Sequence, residues 1–593
     1  MFQRSLKKKK WQIKDITLKT VNEISEAHGI SKILSSLLAG RGITTKDDVD
    51  YFLHPQLSQL PSPFLLKGVN EAVQVIHEAM NKNLNILLYG DYDVDGVTAV
   101  SVLANFLKSL NKPYIICHPD RFEDGYGLKA SVVDRNAGNL EPGLIITCDL
   151  GISDEIEVGK LRSMGWKIII TDHHQPPDVL PNANAIVNPW QKGCQFPFKD
   201  LAGAGVSFFL IMALRRFLVE YGVWTTDTAP NLKALLDIVA IGTICDMVDI
   251  KGVNRILVKA GLDVIPVTRN LGLARMMEQC GIANHNQISS DDISFKLGPR
   301  LNAAGRMGKA ELSSRLLTTE DSENAQKCIE QIEAMNTTRR ELTFSNIDQA
   351  FQIVKEQELT QKPCIIVYRK DWHLGVIGIV ASKLLEQYNL PAVVLCGDGA
   401  LKGSVRSVDG INFHDLLADC SDLLIEYGGH SAACGFSVKI DNLNSLKQKI
   451  YELILSKEPI TTESQLIIDH CFTADEWVTE EVAEANSYIH PYGFNNNEPI
   501  YTVNSACELR NIQFIGKEKS HIRFQAKLNG NYINCVGFGF ADAFQKNSSF
   551  SKDCTVKAKL AFSLRNNTYN SRETKQLFLH DLMLDSKETQ QGR

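Results

Sequence analysis

The stretch from Leu84 to Leu110, LNILLYGDYDVDGVTAVSVLANFLKSL, carries the pattern that decides the fold. Residues 84–90 form a short apolar run that ends in glycine, which is typical of a buried strand. Residues 97–110 have the apolar spacing of a helix, and the acidic loop GDYDVDG lies between the two. This order of strand, polar loop and helix predicts one unit of a parallel α/β sheet.

Similar units follow along the chain. The apolar runs PYIICH (113–118), LIITCD (144–149) and KIIITD (167–172) predict further strands of the same sheet. The apolar segments 203–220 and 235–250 predict helices that pack on that sheet. Later in the chain, PCIIVY and PAVVLC predict the strands of a second, smaller α/β unit.

The C-terminal region differs in pattern and charge. From about residue 465, short strand-like runs alternate with Gly, Asn and Lys turns, which predicts a small all-β barrel of the OB-fold type. Residues 508–575 hold 12 Lys and Arg against 5 Asp and Glu. Aromatic residues are interleaved with these cations, and we expect about half of them to point into the barrel core. The excess of positive charge indicates a surface that binds a polyanion such as single-stranded nucleic acid.

These patterns predict an α/β protein with a C-terminal barrel. The predicted segments are an N-terminal arm and helical segment (1–75), a parallel-sheet α/β domain (76–311), a connecting helix (312–358), a second α/β domain (359–458) and the barrel (463–586).

Composition excludes several classes of protein. The chain has 593 residues, 44% hydrophobic and 22% charged, with a formal net charge of −6, which is ordinary for a soluble globular protein. The longest uncharged apolar run, Val206 to Leu214, is too short to span a membrane. No pair among the 14 cysteines has CxxC spacing, so we expect no structural zinc and a reducing, cytoplasmic environment. Lys7 to Lys10 are predicted to form a solvated arm, with a nucleic-acid contact as the alternative.

The acidic loop presents Asp91, Asp93 and Asp95 directly after a strand. A calcium loop of the EF-hand type would need a glutamate at its twelfth position, and Val102 stands there. A turn needs only one such aspartate. Because three clustered carboxylates repel one another unless a cation offsets them, the loop predicts a metal site.

Other predicted strands end in similar chemistry. Asp149 follows one strand, and Asp172, His173 and His174 follow another. Ligand sites of α/β sheets form outside the carboxyl ends of neighbouring strands, so these side chains are expected to converge. Asp246 interrupts an apolar helix and is a better candidate for an inward-facing ligand than the nearby Asp249. Taken singly, Asp149 or Asp246 is equally consistent with a helix cap.

One histidine among many carboxylates indicates magnesium or manganese rather than zinc. Five or six anionic ligands exceed what one such ion takes from a protein, so we expect two divalent cations that share a bridging carboxylate. Two ions about 3.5–4 Å apart activate a water and stabilise the leaving oxygen in phosphoryl displacement.

Arginines in Gly-, Asn- and Pro-rich segments are candidate phosphate ligands, because a guanidinium matches phosphate oxygens bidentately. The candidates are Arg121, Arg300 and Arg306, and a solvent-exposed salt bridge is the alternative for each. Ser404 and Arg406 in GSVRS offer donors to a terminal phosphate. His430 follows two glycines and is either a core histidine or a substrate contact.

The acidic segments GDYDVDG, CDLG, TDHH and ICDMVD resemble the metal-binding motifs of the DHH phosphoesterase superfamily. A wider set of motifs resembles the RecJ family of single-strand-specific 5′→3′ DNA exonucleases. That set is HPDRFEDGYGL (118–128), GPRLNAAGRMGKA (298–310), DWHLGVIGIVASKL (371–384), GSVRS (403–407) and GGHSAACGF (428–436). The resemblance covers roughly residues 84–440, and it implies a DHH catalytic domain, a DHH-associated domain and an OB-fold domain.

The resemblance also implies a role for each site residue. Asp91 and Asp93 would hold the first metal ion, Asp95, His173 and Asp246 the second, and Asp149 would bridge the two. Asp172 would orient His173 or a metal-bound water, and His174 would face the scissile phosphate. Arg121, Ser404 and Arg406 would recognise the 5′ end. The remaining substrate contacts would be Arg300, Asn302, Arg306 and His430.

The implied function is a metal-dependent exonuclease, using manganese or magnesium, that degrades single-stranded DNA from its 5′ end to 5′-mononucleotides in DNA repair and recombination. The expected partner is single-stranded DNA, with single-strand-binding protein and a helicase as further candidates, and the expected state is a cytoplasmic monomer. Two alternatives stay open, namely a small-molecule or oligonucleotide phosphodiesterase of the same superfamily and a non-catalytic DNA-binding replication factor.

Overall fold

The computed structural model describes residues 5–282, 288–456, 464–473, 476–547, 555–569 and 572–585. The chain divides into two compact units. One consists of Met1–Pro55 together with Thr461–Arg593, and the other is Gln56–Ile460. No helix among the described residues is long and apolar enough to cross a membrane.

The strands are β1 (Lys10–Ile13), β2 (Ile86–Gly90), β3 (Ile115–Cys117), β4 (Leu144–Cys148), β5 (Lys167–Thr171), β6 (Ala185–Val187), β7 (Ile365–Tyr368), β8 (Ala392–Cys396), β9 (Ala400–Arg406), β10 (Leu424–His430), β11 (Ala433–Lys439), β12 (Gln465–Ile468), β13 (His470–Phe472), β14 (Tyr501–Val503), β15 (Cys507–Ile515), β16 (His521–Leu528), β17 (Asn531–Gly537), β18 (Val556–Tyr569) and β19 (Arg572–Leu584).

The α-helices are α1 (Leu18–His28), α2 (Lys32–Ala39), α3 (Lys46–Leu53), α4 (Val69–Asn81), α5 (Val94–Lys108), α6 (Ala130–Ala137), α7 (Glu155–Ser163), α8 (Gly203–Glu220), α9 (Leu236–Cys245), α10 (Gly252–Val264), α11 (Leu271–Gln279), α12 (Ser290–Asp292), α13 (Gly298–Arg306), α14 (Glu311–Thr318), α15 (Ser322–Glu356), α16 (Leu374–Tyr388), α17 (Phe413–Asp419), α18 (Leu443–Leu455), α19 (Thr479–Ile489) and α20 (Ala541–Asn547).

The unit Gln56–Ile460 contains a five-stranded parallel sheet in the order β3-β2-β4-β5-β6. Alternate residues of its strands enter two separate apolar cores, as the pleat requires. Leu88 and Ile146 pack with α5, α8 and α9 in one core, whereas Leu87 and Ile145 pack with α6 and α7 in the other. Helices therefore cover both faces of the sheet, which confirms the predicted α/β class.

The same unit contains a second sheet in the order β10-β11-β9-β8-β7. Its β7 and β8 are parallel, and the other pairs are antiparallel. The 35-residue helix α15 precedes this sheet in the chain and packs against both α13 and α16. This second sheet is the smaller α/β unit that PCIIVY and PAVVLC predicted.

The unit formed by the two ends of the chain is built around a β-barrel. Its sheet has the order β13-β14-β18-β15-β16-β17-β19, and an additional pairing of β18 with β19 closes the barrel. Phe524, Phe540 and Phe544 are buried in the core, whereas Phe538 is 49% exposed. The sequence predicts that about half of the interleaved aromatic residues point inward, and three of the six are buried. Phe544, however, lies on helix α20 and Phe540 just before it, so strand alternation accounts only for Phe524. The six are Phe514, Phe524, Tyr532, Phe538, Phe540 and Phe544.

The N-terminal segment predicted as a solvated arm has exposed lysines at positions 7, 8 and 10, but its backbone is not free. The backbone of Leu6 donates to the carbonyl of Leu582, and Lys10 begins strand β1, which pairs in parallel with β12. The lysine side chains of this segment remain at the surface, but its backbone is bonded to the barrel unit at both of these points.

Two local predictions also need correction. Arg300 and Arg306 lie among Gly, Asn and Pro residues that do not indicate a helix, yet the segment 298–306 is a helix, α13. Pro299 is tolerated there because it lies in the first turn, where a helix needs no backbone N–H donor. The apolar helix predicted over 235–250 ends at Cys245, since Met247 has a φ of 62°.

Candidate metal centre and phosphate site

The carboxyl ends of three parallel strands lie at the same level of the sheet. Gly90 of β2 pairs with Cys148 of β4, and Cys148 pairs with Thr171 of β5. The residue that follows each strand is an aspartate, namely Asp91, Asp149 or Asp172. The strand register therefore places three carboxylates at one edge of the sheet, where α/β proteins bind their ligands.

All six predicted metal ligands lie in clusters whose ligand atoms are within 4.8 Å of one another. Asp149 belongs to two of these clusters. The three clusters are Asp91 with Asp93 and Asp149, Asp95 with His173 and Asp246, and Asp149 with His173 and His174.

Four ligand atoms of these clusters are buried and make no hydrogen bond with any described residue. They are Asp91 Oδ1, Asp149 Oδ1, His173 Nε2 and Asp246 Oδ2. His173 Nε2 lies 3.0 Å from Asp149 Oδ1 and 3.6 Å from Asp246 Oδ2, which is within ion-pair range, but it forms no hydrogen bond with either atom. Buried polar atoms are almost always paired, and this carboxylate-rich donor set with one imidazole fits manganese or magnesium.

Burial and mutual repulsion make the carboxylates of the centre hard to ionise. The pKa of Asp91 is raised to about 8 by burial and by the charge of Asp93. The pKa of Asp95 is raised to about 7 by burial and by Asp246. Burial and neighbouring aspartates likewise raise the pKa values of Asp149 and Asp246 well above the usual range. Divalent cations bound at the centre would offset this repulsion.

The first turn of α8 holds Asp95 in place. The backbone N–H groups of Gly203 and Ala204 donate to the two Asp95 carboxylate oxygens at 2.5 and 2.9 Å. These N–H groups have no partner within the helix, and the positive end of the helix dipole favours a carboxylate there. A Cβ atom at Gly203 would lie 2.6 Å from Cβ of Asp149, so only glycine lets the helix approach this closely.

Asp172 and His174 form a bonded pair beside the clusters. Asp172 Oδ1 lies 2.8 Å from His174 Nδ1, and its Oδ2 accepts a hydrogen bond from the backbone N–H of Ile152. The resemblance implied that Asp172 orients His173 or a water, whereas the structure bonds it to the ring of His174. Burial lowers the pKa of His174, but the charge and hydrogen bond of Asp172 outweigh this and raise it to about 9. The His430 ring stacks on His174 with ring centroids 6.0 Å apart.

Three of the predicted phosphate ligands lie near one another. Arg121 stacks over the Tyr92 ring at 4.4 Å, Arg306 donates to the carbonyl of Gly375, and Arg406 contacts Ser404 Oγ at 3.4 Å. The pKa of Arg306 falls to about 9, first because it is buried and then because Arg121, Arg339 and Arg406 are close. A site this rich in cations is suited to an anion such as phosphate.

The structure gives Arg300 a different partner. Its Nε lies 2.5 Å from Oε1 of Glu333, and its Nη1 donates to the carbonyl of Lys296. Asn302 lies half-buried on the same helix, α13. The ion pair is the alternative weighed for Arg300 in the sequence, and it joins α13 to α15.

The sequence reasoning did not single out His118 as a site residue. Its Nδ1 lies 3.0 and 2.9 Å from the carbonyls of Gly90 and Asp91, so it donates there, and its Nε2 accepts from Ser314 Oγ at 2.9 Å. Burial lowers the pKa of His118 to about 4 and keeps the ring neutral. Its position three residues before Arg121, in HPDRFEDGYGL, was the available signal.

Comparison with known protein families places three models on the chain. Residues 85–243 match the DHH family N-terminal domain, residues 361–456 the DHHA1 domain, and residues 468–581 the RecJ OB domain. The single-stranded-DNA-specific exonuclease RecJ of Bacillus subtilis (strain 168) is 33% identical over 581 residues, covering 97% of this chain and 71% of its own. The chain belongs to the RecJ family. The RecJ of Escherichia coli (strain K12) is 31% identical, over 93% of this chain and 95% of its own.

Solved RecJ structures share the fold. RecJ from Thermus thermophilus in complex with Mn²⁺ matches with a TM-score of 0.79 and 27% identity, over 97% of this chain and 79% of that one. An exonuclease RecJ bound to manganese matches with a TM-score of 0.57 and 31% identity, over 67% of this chain and 98% of that one. The predicted manganese or magnesium cofactor therefore agrees with both the family and the donor set.

Proposed function

We propose that this chain is a metal-dependent exonuclease that degrades single-stranded DNA from its 5′ end to 5′-mononucleotides, in DNA repair and recombination. The observation that carries the proposal is the convergence of five aspartates and His173, with four buried ligand atoms that make no hydrogen bond among the described residues. The cationic site for phosphate lies near this centre, because Gly305, the residue before Arg306, packs on the backbone of Tyr92 in the acidic loop. The names of the RecJ relatives supply the substrate class.

We assign the ligands from the clusters. Asp91 and Asp93 would hold one divalent cation, Asp95, His173 and Asp246 a second, and Asp149 would contact both. Bound manganese or magnesium supplies an activated water and stabilises the leaving oxygen in phosphoryl displacement. The fixed carboxylates hold their positions through backbone bonds such as those of α8 to Asp95, so little reorganisation is needed during the reaction.

His174 would act on the phosphate itself. The imidazole is held by Asp172, which favours the protonated ring at neutral pH. A protonated ring beside the metal clusters can donate a hydrogen bond to a phosphate oxygen that gains negative charge in the transition state. Stacking with His430 limits the orientations that the ring can adopt.

The 5′-terminal phosphate would be held by Arg121, Ser404 and Arg406. The Arg406 guanidinium lies beside the Ser404 hydroxyl, and burial and the charge of Arg121 lower its pKa. The basic barrel would bind single-stranded DNA by stacking of bases on exposed aromatic rings such as Phe538.

We include in the proposal a monomeric, cytoplasmic enzyme that works with single-strand-binding protein and a helicase. The 13 described cysteines are free thiols, which supports a reducing compartment.

Digestion of end-labelled DNA tests the proposal. We expect single-stranded DNA with a 5′-phosphate to yield 5′-mononucleotides only when Mn²⁺ or Mg²⁺ is present, with duplex DNA and 5′-hydroxyl ends degraded more slowly. D149N should abolish cleavage but keep DNA binding, whereas D134N, which changes an exposed aspartate on α6, should behave like the wild type. Degradation from the 3′ end, or activity on dinucleotides alone, would contradict the proposal.

A further inference from the structure

Arg339 on helix α15 is an arginine near the phosphate site that the sequence did not single out. Its Nη2 donates to Asn336 Oδ1 at 2.9 Å, and Asn336 is itself buried. Its Nε is buried and has no hydrogen-bond partner, and no carboxylate of the described chain forms an ion pair with it. Arg339 therefore keeps donors available on a guanidinium that is partly removed from water.

The charges around Arg339 are mostly of its own sign. Burial and the charges of Arg340 and Arg300 lower the pKa of Arg339, and the charge of Arg339 in turn lowers the pKa of Arg306. The helices α13 and α15 pack against each other, and the ion pair from Arg300 to Glu333 joins them. Arg306 follows Arg300 on α13, and Arg339 follows Glu333 on α15. Arg306 and Arg339 thus lie on helices that pack against each other, and the charge of Arg339 lowers the pKa of Arg306.

Burying a guanidinium among other guanidinium groups costs free energy unless an anion pairs with it. Arg300 shows how the protein satisfies an arginine that has a structural role, since it pairs with Glu333 at 2.5 Å. Arg339 has only a neutral amide. Charges left unpaired in this way are typical of a binding site that is completed by its ligand.

We propose that Arg339 binds a backbone phosphate of the DNA strand, next to the phosphate that Arg306 holds at the metal centre. The assignment rests on the proposed function, which supplies a chain of phosphates as the ligand. Arg339 would thus add one cation to the group formed by Arg121, Arg306 and Arg406.

A structural role for Arg339 makes the opposite prediction for stability. If the bond to Asn336 braces α15, R339Q should lower the melting temperature. If Arg339 is instead a phosphate ligand, R339Q removes from the DNA-free protein a charge that has only like charges around it. The melting temperature of the DNA-free protein should then stay the same or rise.

The experiment measures binding of a fluorescent oligothymidylate to the full chain carrying D149N, with Mn²⁺ present, over a range of KCl concentrations. One phosphate contact to a single strand contributes about 0.7 to the slope of log K against log salt, so R339Q should lower the slope by that amount. Losing a charged hydrogen bond should also weaken binding by roughly tenfold. R340Q, which changes the exposed neighbour, should leave the slope unchanged. R339K should keep the slope but bind less tightly, because it lacks the planar fork.

The inference is overturned if R339Q and R339K bind with the wild-type affinity and slope, or if R339Q lowers the melting temperature while binding is unchanged. Those results leave the proposed function intact, because the wild-type chain still binds and degrades the strand. A wild-type chain that neither binds nor degrades single-stranded DNA would overturn the proposed function, and this inference with it.

Discussion

At the scale of single residues, Asp149 combines several costs at one position. Its φ of 66° lies in the left-handed region, its side chain is buried, and its Oδ1 has no hydrogen-bond partner among the described residues. Backbone strain of this kind costs on the order of 1 kcal/mol and is concentrated at functional sites. Asp149 and His173 are the two residues that each belong to two of the ligand clusters, so metal binding would explain why the protein tolerates these costs at Asp149.

We therefore expect D149N to stabilise the metal-free protein. Asparagine tolerates the left-handed conformation and carries no charge to bury, so the melting temperature should rise by a few degrees. The stabilisation that Mn²⁺ gives to the wild type should be largely lost. Differential scanning fluorimetry with and without Mn²⁺ measures both effects, and a lower melting temperature in EDTA would contradict the expectation.

The raised pKa values of the metal centre predict how stability depends on pH. Burial and neighbouring aspartates raise the pKa values of Asp91 and Asp95 to about 8 and about 7 in the folded protein, above the ordinary pKa of an aspartate in an unfolded chain. The folded metal-free protein thus retains protons that the unfolded chain releases, and stability is lost as the pH rises through the folded values. We expect Mn²⁺ to raise the melting temperature more at pH 8 than at pH 5. Equal shifts at the two pH values would count against this linkage.

His118 provides a test of how the acidic loop is held. H118A removes the donor to the Gly90 and Asp91 carbonyls, and groups that orient metal ligands typically contribute at least tenfold to metal affinity. We expect the Mn²⁺ concentration for half-maximal activity to rise by about that factor. H54A, at an exposed histidine of the other unit, serves as the control and should leave this concentration unchanged.

At the scale of elements, the end of α13 packs directly on the acidic loop. A Cβ atom at Gly305 would lie 1.9 Å from the carbonyl oxygen of Tyr92, the residue between Asp91 and Asp93. We expect G305A to lower both stability and metal affinity, because the loop must move. G159A on α7, where a Cβ meets nothing within 4 Å, should instead stabilise the protein by up to about 1 kcal/mol. Denaturation in urea distinguishes the two.

The elements also show how far the sequence could be read. The strand, loop and helix of 84–110 could be predicted because the hydrophobic periodicity and the acidic loop agree. The strand ends that place Asp149 and His173 could be predicted from similar apolar runs. Helix α13 could not be predicted from the sequence, since its Gly, Pro and Asn residues locally favour a loop. The packing of Gly305 on Tyr92 and the pairing of Arg300 with Glu333 are long-range contacts that local propensity does not encode.

At the scale of the whole molecule, both ends of the chain build one compact unit. Lys14 Nζ lies 2.8 Å from Asp469 Oδ1, and Trp11 Nε1 donates to Asp581 at 2.8 Å, so the N-terminal segment is bonded to the barrel at several points. The sequence indicated a basic barrel and an N-terminal arm but gave no sign that they pair, because residues so far apart share no local pattern.

Two truncations test this organisation. We expect the fragment 56–460 to fold alone and to cleave short oligonucleotides, while its affinity for long single strands falls because the basic barrel is absent. Deleting residues 1–14 should destabilise the barrel unit, since strand β12 loses its partner β1. Circular dichroism and oligonucleotide-length dependence measure these outcomes. A barrel unit that melts normally without residues 1–14 would contradict the second expectation.

The pairing of β1 with β12 has a consequence for synthesis of the protein. On the ribosome, β1 (Lys10–Ile13) emerges about 450 residues before β12 (Gln465–Ile468), which is tens of seconds at typical rates of translation. During this delay the N-terminal helices lack the barrel that completes their apolar core, while the intervening unit has its whole sequence available. The nuclease core can therefore assemble first, and the barrel unit closes only when the last strands have been translated.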